Sequence, residues 1–368
     1  MKDKKMVSGQ SLCIMNNIPT PYRSSLFYEV SRQANKVGIE FSVLYLAETE
    51  TVRDWKVELS IFESVLPVVW QQRNYRTPTS DTIVNVRYFS QTLKQRHLIL
   101  FGYNYLTYVV VACMRAVLRR PTHLFCETTL SDNVSLKWKK AVKSFFFRVV
   151  FDQFFVPGKR SADYLTAHGV AKENIVFARN NSPIYPDVPP ILEQTLGLRL
   201  LFVGRLASEK RILEFVQIFS KLKSHHQLSI VGSGPDADEI LTFSEICPAI
   251  EILGEIENNK LPEIYGRHDV LVLVSESEPW GLVVNEAVNF GLALLLSRSV
   301  GSAPDLLDGN GEYLEEITVD RLNDALEKIK NNLINYRKQS LRIAAESTLS
   351  HQASSFLSVA KGDYHIKS

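Results

Sequence analysis

Cysteine is scarce: four residues in a chain of 368, and no two of them form a C-x-x-C pair. The four are Cys13, Cys113, Cys126 and Cys247, and three of them sit inside apolar runs. That excludes a disulfide scaffold, argues against a zinc site, and predicts buried free thiols in a reducing compartment. Long hydrophobic runs are lacking too. The N-terminal stretch MKDKKMVSGQSLCIMNN is basic without the apolar core of a signal peptide. The nearest thing to a membrane span, Leu98 to Leu118, is broken by Gly102, Asn104 and Arg115. Its pattern predicts a strand, a loop and then a helix. Low-complexity tracts and short repeats are absent, which excludes fibrous and disordered classes. What is present is 45% apolar and 22% charged sequence, the composition of soluble globular domains. The length suits two or three domains.

The net charge of +2 conceals a split. Residues 1–183 hold 25 Lys and Arg against 14 Asp and Glu; residues 184–368 hold 17 against 26. Opposite bias in two halves predicts two domains with different surfaces. A basic half suits an anionic lipid surface or a phosphorylated substrate. Mutual attraction of the two domains is the plainer alternative.

Short apolar runs alternate with amphipathic stretches throughout. In the first half the runs are 11–15, 39–46, 98–101, 123–126 and 149–156, with helical patterns at 22–36, 105–118, 134–148 and 159–168. In the second half they are 198–203, 228–231, 250–253, 270–274 and 292–297, with helical patterns at 209–223, 236–243, 260–265 and 282–290. Repeated strand–helix–strand units predict parallel sheets covered on both faces. The pattern is too long for one sheet, so two doubly wound domains are expected. Pro183, Pro186, Pro189 and Pro190 mark the connection between them. The stretch from Val319 to about Lys361 is helical and more polar.

Ligands of such sheets sit beyond the carboxyl ends of the strands. After 198–203 comes Gly204-Arg205-Leu206-Ala207-Ser208-Glu209-Lys210. Two cations beside a helix start form a site for phosphate, unless both are simply solvated. After 228–231 comes Gly232-Ser233-Gly234-Pro235, half of a dinucleotide fingerprint and more often a plain turn. After 270–274 comes Ser275-Glu276-Ser277-Glu278-Pro279-Trp280-Gly281-Leu282-Val283-Val284-Asn285-Glu286. Pro279 suits a first helical turn, and Gly281, Leu282 and Val283 would then offer free backbone N–H groups to a diphosphate. Glu286 lies one turn past Leu282 on the same side. Glu276 is expected only to cap or balance the helix.

Glu278-x7-Glu286 within EPWGLVVNEAVNFG resembles the paired-glutamate signature of family 4 glycosyltransferases, and Gly-Arg-Leu-x-x-Glu-Lys at 204–210 resembles that family's diphosphate-binding turn. Asp308-Gly309-Asn310-Gly311 matches its turn before a short strand. Ile18-Pro19-Thr20-Pro21-Tyr22-Arg23 is similar to members that build bacterial surface polysaccharides, and 156–180 to the family's passage between domains. The likeness is strong over 198–315 and looser over 1–180.

The resemblance implies a GT-B architecture, two Rossmann-like doubly wound parallel-sheet domains facing across a cleft. An acceptor-side domain would span 1–183 and a nucleotide-sugar domain 184–345, with a final helix, 346–368, packing back on the first. Gly204, Arg205 and Lys210 would meet the diphosphate, and Gly281, Leu282 and Val283 would bind phosphate oxygens through backbone N–H. Glu286 would accept from the ribose, Glu278 from the donor sugar, and Ile256 would lie near the base. Glu278, Arg205 and Lys210 are the candidate catalytic residues. The resemblance further implies retention of anomeric configuration, no metal, and no cofactor beyond the nucleotide-sugar, with UDP preferred over GDP.

Departures from the pattern are visible. Trp280 stands where Phe is common, Asn16-Asn17-Ile18-Pro19 replaces a glycine-rich loop, and His123 begins its strand while Glu127 ends it. Arg23 and Glu127 are the acceptor-side candidates. The acceptor implied is a glycan or lipid-linked glycan. The basic aromatic stretch 137–148 suits an interfacial helix, which would place a cytoplasmic protein at the inner membrane face. No recognition motif accompanies the charge, which argues against nucleic acid. Two other classes compete: a nucleotide-sugar epimerase of the same architecture, and a non-catalytic sugar-nucleotide binder.

Overall fold

A computed structural model describes residues 10–50, 57–65, 67–73, 81–130, 137–187 and 196–362. The basic N-terminal residues, Pro189, Pro190 and the first residues of the helix expected from Val134 lie outside them. The chain forms two compact units. One holds the residues up to Arg179 together with those from Leu349 onward; the other is Asn180–Thr348.

The first unit runs β1 (Ser11–Asn16), α1 (Pro21–Val37), β2 (Glu40–Tyr45), β3 (Glu63–Val65), β4 (Trp70–Arg73), β5 (Asp81–Val84) and α2 (Phe89–Lys94). It continues with β6 (His97–Phe101), α3 (Leu106–Val117), β7 (Thr122–Phe125), α4 (Lys137–Val150), β8 (Gln153–Val156), α5 (Lys159–Ala167) and β9 (Ile175–Phe177). Its seven-stranded sheet has the order β3-β2-β1-β6-β7-β8-β9, and every pairing in it is parallel. Side chains alternate across each strand. In β1, Leu12 and Ile14 enter one core with α1, while Cys13 and Met15 enter another with α3 and α4. That double burial explains why the run is apolar without alternation.

The second unit runs β10 (Arg199–Val203), α6 (Ile212–Phe219), β11 (Gln227–Val231), α7 (Ala237–Ile246), β12 (Ile250–Gly254), α8 (Leu261–Gly266) and β13 (Val270–Leu273). After these come α9 (Leu282–Asn289), β14 (Ala293–Leu296), α10 (Ala303–Leu306), β15 (Gly311–Tyr313) and α11 (Val319–Glu346). The sheet order is β12-β11-β10-β13-β14-β15, again parallel. Order reverses between β1 and β6 in the first sheet and between β10 and β13 in the second. These are the switch points where doubly wound sheets open a crevice.

The helical tail breaks at Ser347, and α12 (Leu349–Lys361) follows. Ala353, Phe356, Leu357, Val359 and Ala360 of α12 join Leu26, Phe27 and Val30 of α1 in one core of the first unit. The expected boundary at 183 falls inside the second unit. The reason is polar: Asn285 Nδ2 donates to the Asn180 carbonyl at 3.0 Å, so the chain already belongs to α9 there. The two-stranded antiparallel ribbon of β4 and β5 had no clear periodic signal in the sequence. Among the described residues no helix is long and apolar enough to cross a membrane, and Leu98 to Leu118 is a strand, a loop and a helix.

Candidate functional site

At the second switch point the segments after β10 and β13 are joined. Backbone N–H of Glu276 donates to the Glu209 carbonyl at 2.8 Å. The Lys210 ammonium is ion-paired with the Glu278 carboxylate, and the two side chains are only 19% and 14% exposed. Arg205 stands exposed one residue past Gly204, which has φ 155° and follows β10. Helix α9 begins at Leu282, not at Pro279, because Gly281 adopts a left-handed φ of 86° and serves as its N-cap. Without a side-chain cap, the backbone N–H groups of Gly281, Leu282 and Val283 find no acceptor among the described residues. Glu276 therefore does not cap α9; it lies too far ahead of Gly281, with its side chain exposed. Ile256 follows β12, half-buried against the core.

Two turns that the sequence marked weakly or not at all make this packing possible. A Cβ on Gly232 would lie 1.9 Å from the Gly204 carbonyl oxygen, and one on Gly234 would lie 2.2 Å from that of Leu206. The GSGP turn thus gives room for the loop that carries Arg205 and Lys210. A Cβ on Gly301 would lie 1.8 Å from the Pro279 carbonyl oxygen. Gly301 N–H donates to the Glu278 carbonyl at 2.7 Å, and Ser302 N–H to that of Trp280 at 3.0 Å. The loop after β14 therefore fixes the backbone that bears Glu278.

Glu286 is 8% exposed. Ser182 Oγ donates to its Oε1 at 2.9 Å, and the Tyr265 hydroxyl donates to its Oε2 at 2.6 Å. Burial raises its pKa, and the two hydroxyl donors partly offset that. Each carboxylate oxygen keeps acceptor capacity beyond one bond. Ser182 lay within a stretch read only as a connection, so its role was not visible. The Trp280 indole N–H donates to Asn285 Oδ1 at 2.8 Å, which satisfies the larger ring that departs from the family pattern. An Asn in mid-helix is a poor helix former, and that was the available signal for a buried polar role.

At the first unit's strand ends the two acceptor-side candidates meet. Arg23 Nη2 donates to Glu127 Oε2 at 2.6 Å. The guanidinium lies over the rings of Phe101 and Phe125, 4.7 and 5.4 Å from their centroids. A second carboxylate, Glu50, which no motif marks in the sequence, lies at the switch point itself. Asn17 Nδ2 and the Tyr105 hydroxyl both donate to Glu50 Oε1, at 3.0 and 2.5 Å, while the buried Oε2 has no partner. His123 is not part of a site: it is fully buried, with its Nε2 3.3 Å from Nδ1 of His97. No group of three or more metal-ligating side chains is found among the described residues.

The second unit's switch point thus gathers a cation, a carboxylate and free amides, a set of groups chemically suited to an acceptor-rich ligand. Residues 192–346, within the second unit, match the family described as Glycosyl transferases group 1. O-antigen biosynthesis glycosyltransferase WbnH of Escherichia coli is 32% identical over 194 residues, 53% of this chain and 55% of that protein. A probable O-antigen glycosyltransferase of the same species, WbiN, matches to the same extent. The matches thus span about half the length of these relatives. The structure of Anabaena Alr3699/HepE in complex with UDP has a TM-score of 0.68 and 14% identity, covering 95% of this chain and 100% of that one. WaaG, a glycosyltransferase involved in lipopolysaccharide biosynthesis, has a TM-score of 0.62 and 15% identity, covering 96% and 99%. The fold is GT-B.

Proposed function

We propose that this protein is a retaining, family 4 glycosyltransferase of surface polysaccharide biosynthesis, moving a hexosyl or N-acetylhexosaminyl group from a nucleotide-diphosphate donor to a hydroxyl of a glycan or lipid-linked glycan. The observation that carries the reading is the Lys210–Glu278 pair beside the open amides of Gly281 to Val283. The bond between the anomeric carbon and a phosphate oxygen breaks, and a bond to the acceptor oxygen forms on the same face. The leaving phosphate takes the acceptor's proton, so no protein nucleophile is required. Negative charge grows on that phosphate. Lys210, Arg205 and the α9 amides stabilise it without reorganising, and need neither a metal nor a further cofactor. Glu278 accepts from donor-sugar hydroxyls, Glu286 from the ribose, and Ile256 packs by the base. Arg23 and Glu127 serve the acceptor. UDP is the preferred nucleotide, in keeping with the UDP complex of HepE.

The location proposed is the cytoplasmic face of a membrane, held through α4. Trp138, Val142, Phe145 and Val149 form one stripe of that helix and are 63, 61, 63 and 58% exposed, while Phe147 fills the core on the opposite side. Lys139, Lys140 and Lys143 flank the stripe, and α4 contains no acidic residue.

A thermal-shift panel of UDP-, GDP- and ADP-sugars tests the donor reading, since a ligand that binds only the folded state raises its stability. A UDP-sugar should raise the melting temperature; no shift with any of the three would defeat the reading.

A further inference from the structure

The two cations at the second switch point are held differently. Arg205 is exposed, and among the described residues no ion pair reaches it. Lys210 has its charge met inside the protein, by the carboxylate of Glu278 from 68 residues further along the chain. Glu278 is itself fixed at two points. Its carbonyl accepts from Gly301 N–H at 2.7 Å, and its Cγ lies 3.2 Å from where a Cβ on Gly281 would sit. The side chain thus folds over the N-cap of α9, beside the amides of Gly281, Leu282 and Val283. Negative charge against an ammonium and a helix start is what a phosphate group would supply there. Glu278 takes the electrostatic place of that phosphate.

We propose that Glu278 is a built-in competitor for the diphosphate, and that this competition makes the site favour an intact nucleotide-sugar over the nucleoside diphosphate left after transfer. The inference rests on the transferase reading above and adds to it a discrimination between substrate and product. Lys210 serves Glu278 or a phosphate, not both at full strength. An intact donor resolves the conflict. Its sugar hydroxyls donate to Glu278 while its phosphates take Lys210, so each charged group exchanges one partner for another. A nucleoside diphosphate brings the phosphates without the transferred sugar. It draws Lys210 away and leaves Glu278 without a donor, a carboxylate facing an anion in a corner with little water. Product binding is penalised where substrate binding is not, which speeds departure of the spent nucleotide.

Titration calorimetry on the full chain tests it, with inorganic pyrophosphate, UDP, UDP-glucose and UDP-N-acetylglucosamine as probes. Glu278→Gln keeps the shape and removes the charge. It should tighten pyrophosphate and UDP about tenfold, while neither UDP-sugar tightens. Glu276→Gln removes the same charge from an exposed side chain two residues away and should leave every affinity within about twofold. In a Lys210→Ala background, adding E278Q should gain about threefold at most, because no ammonium remains to be released. Glu278→Asp, which draws the carboxylate back from Lys210, should tighten UDP in the same direction by less, and decides the matter where E278Q does not fold. Unchanged or weaker pyrophosphate and UDP binding in E278Q overturns the proposal. Equal gains in E276Q, or equal gains for UDP and the UDP-sugars in E278Q, overturn it as well. The thermal shift separates the two readings. If a UDP-sugar still raises the melting temperature while E278Q leaves UDP unchanged, only the competition falls. If E278Q tightens pyrophosphate while no nucleotide-sugar shifts the melt, the donor reading falls, and the discrimination with it.

Discussion

The two sheets share a strand order but finish their strands with different materials. The second unit builds its switch point from backbone. Gly204, Gly232, Gly234, Gly281 and Gly301 each remove a side chain, which leaves open amides beside the mostly buried Lys210–Glu278 pair and the exposed Arg205. The first unit builds its strand ends from side chains: Arg23 sandwiched by Phe101 and Phe125, Glu127 paired to it, and Glu50 held by Asn17 and Tyr105. A backbone cradle suits a ligand part that never varies, such as a diphosphate. A side-chain cradle suits a part that differs between enzymes. The contrast explains why residues 198–315 carried the family likeness and residues 1–180 carried it weakly.

The comparison breaks most visibly if the charged pair proves dispensable. Lys210→Ala and Glu278→Ala should each lower the rate of sugar transfer by about 10²–10³-fold, the usual consequence of deleting one preorganised charge-stabilising group. Melting curves should show both variants folded; unaltered transfer in both would remove the enzyme assignment.

A second prediction concerns acid. Burial, helped by the charges of Arg96 and Arg115, pushes the His97 imidazole down to about 4, and burial also lowers its neighbour His123. A histidine that is neutral when folded and ordinary when unfolded binds protons only on unfolding. Stability is then complete above about pH 6.5 and declines as the pH falls toward 4. The loss from His97 alone is of order 3 kcal/mol at most. Urea unfolding at pH 7 and pH 5 measures it, and His97→Gln should flatten the slope. Because this pair belongs to the first unit, donor binding to the second should not follow the same curve in native conditions.

Backbone crowding gives the third. Gly301→Ala forces a methyl group onto the Pro279 carbonyl oxygen and should cost about 1–3 kcal/mol in chemical unfolding. UDP-sugar affinity should weaken with it, whereas Gly309→Ala, where a Cβ meets nothing within 4 Å, should leave UDP-sugar affinity unchanged.

The smallest effect is expected on the other sheet. Glu127→Gln keeps the shape but loses the charge that faces Arg23. It should raise the acceptor KM by about tenfold, roughly 1.4 kcal/mol, without altering donor affinity. A change in donor affinity instead would mean that the two edges do not divide the work.

Much of this architecture was legible in the sequence because it rests on local rules. Apolar runs of strand length, helical periodicity between them and glycine at strand ends gave five strands of each sheet and set Lys210, Glu278 and Gly281 just past strand ends, whereas the three-residue β3 and β9 were too short to stand out. Two kinds of information were not local. Gly301 and Gly232 matter only because distant carbonyl groups, those of Pro279 and Gly204, lie against them. Ser182 and Tyr265 matter only because Glu286 is buried between them, 104 and 21 residues away along the chain. The ribbon of β4 and β5 has too few residues to display a period.

Helix α9 carries a final consequence. From Asn285, Glu286 and Asn289 it grips the incoming chain at Asn180, Ser182 and Ile184. Its opposite end offers the amides beside Glu278. The stretch 180–184 and the open amides are therefore held by one short element, one along its flank and the other at its tip.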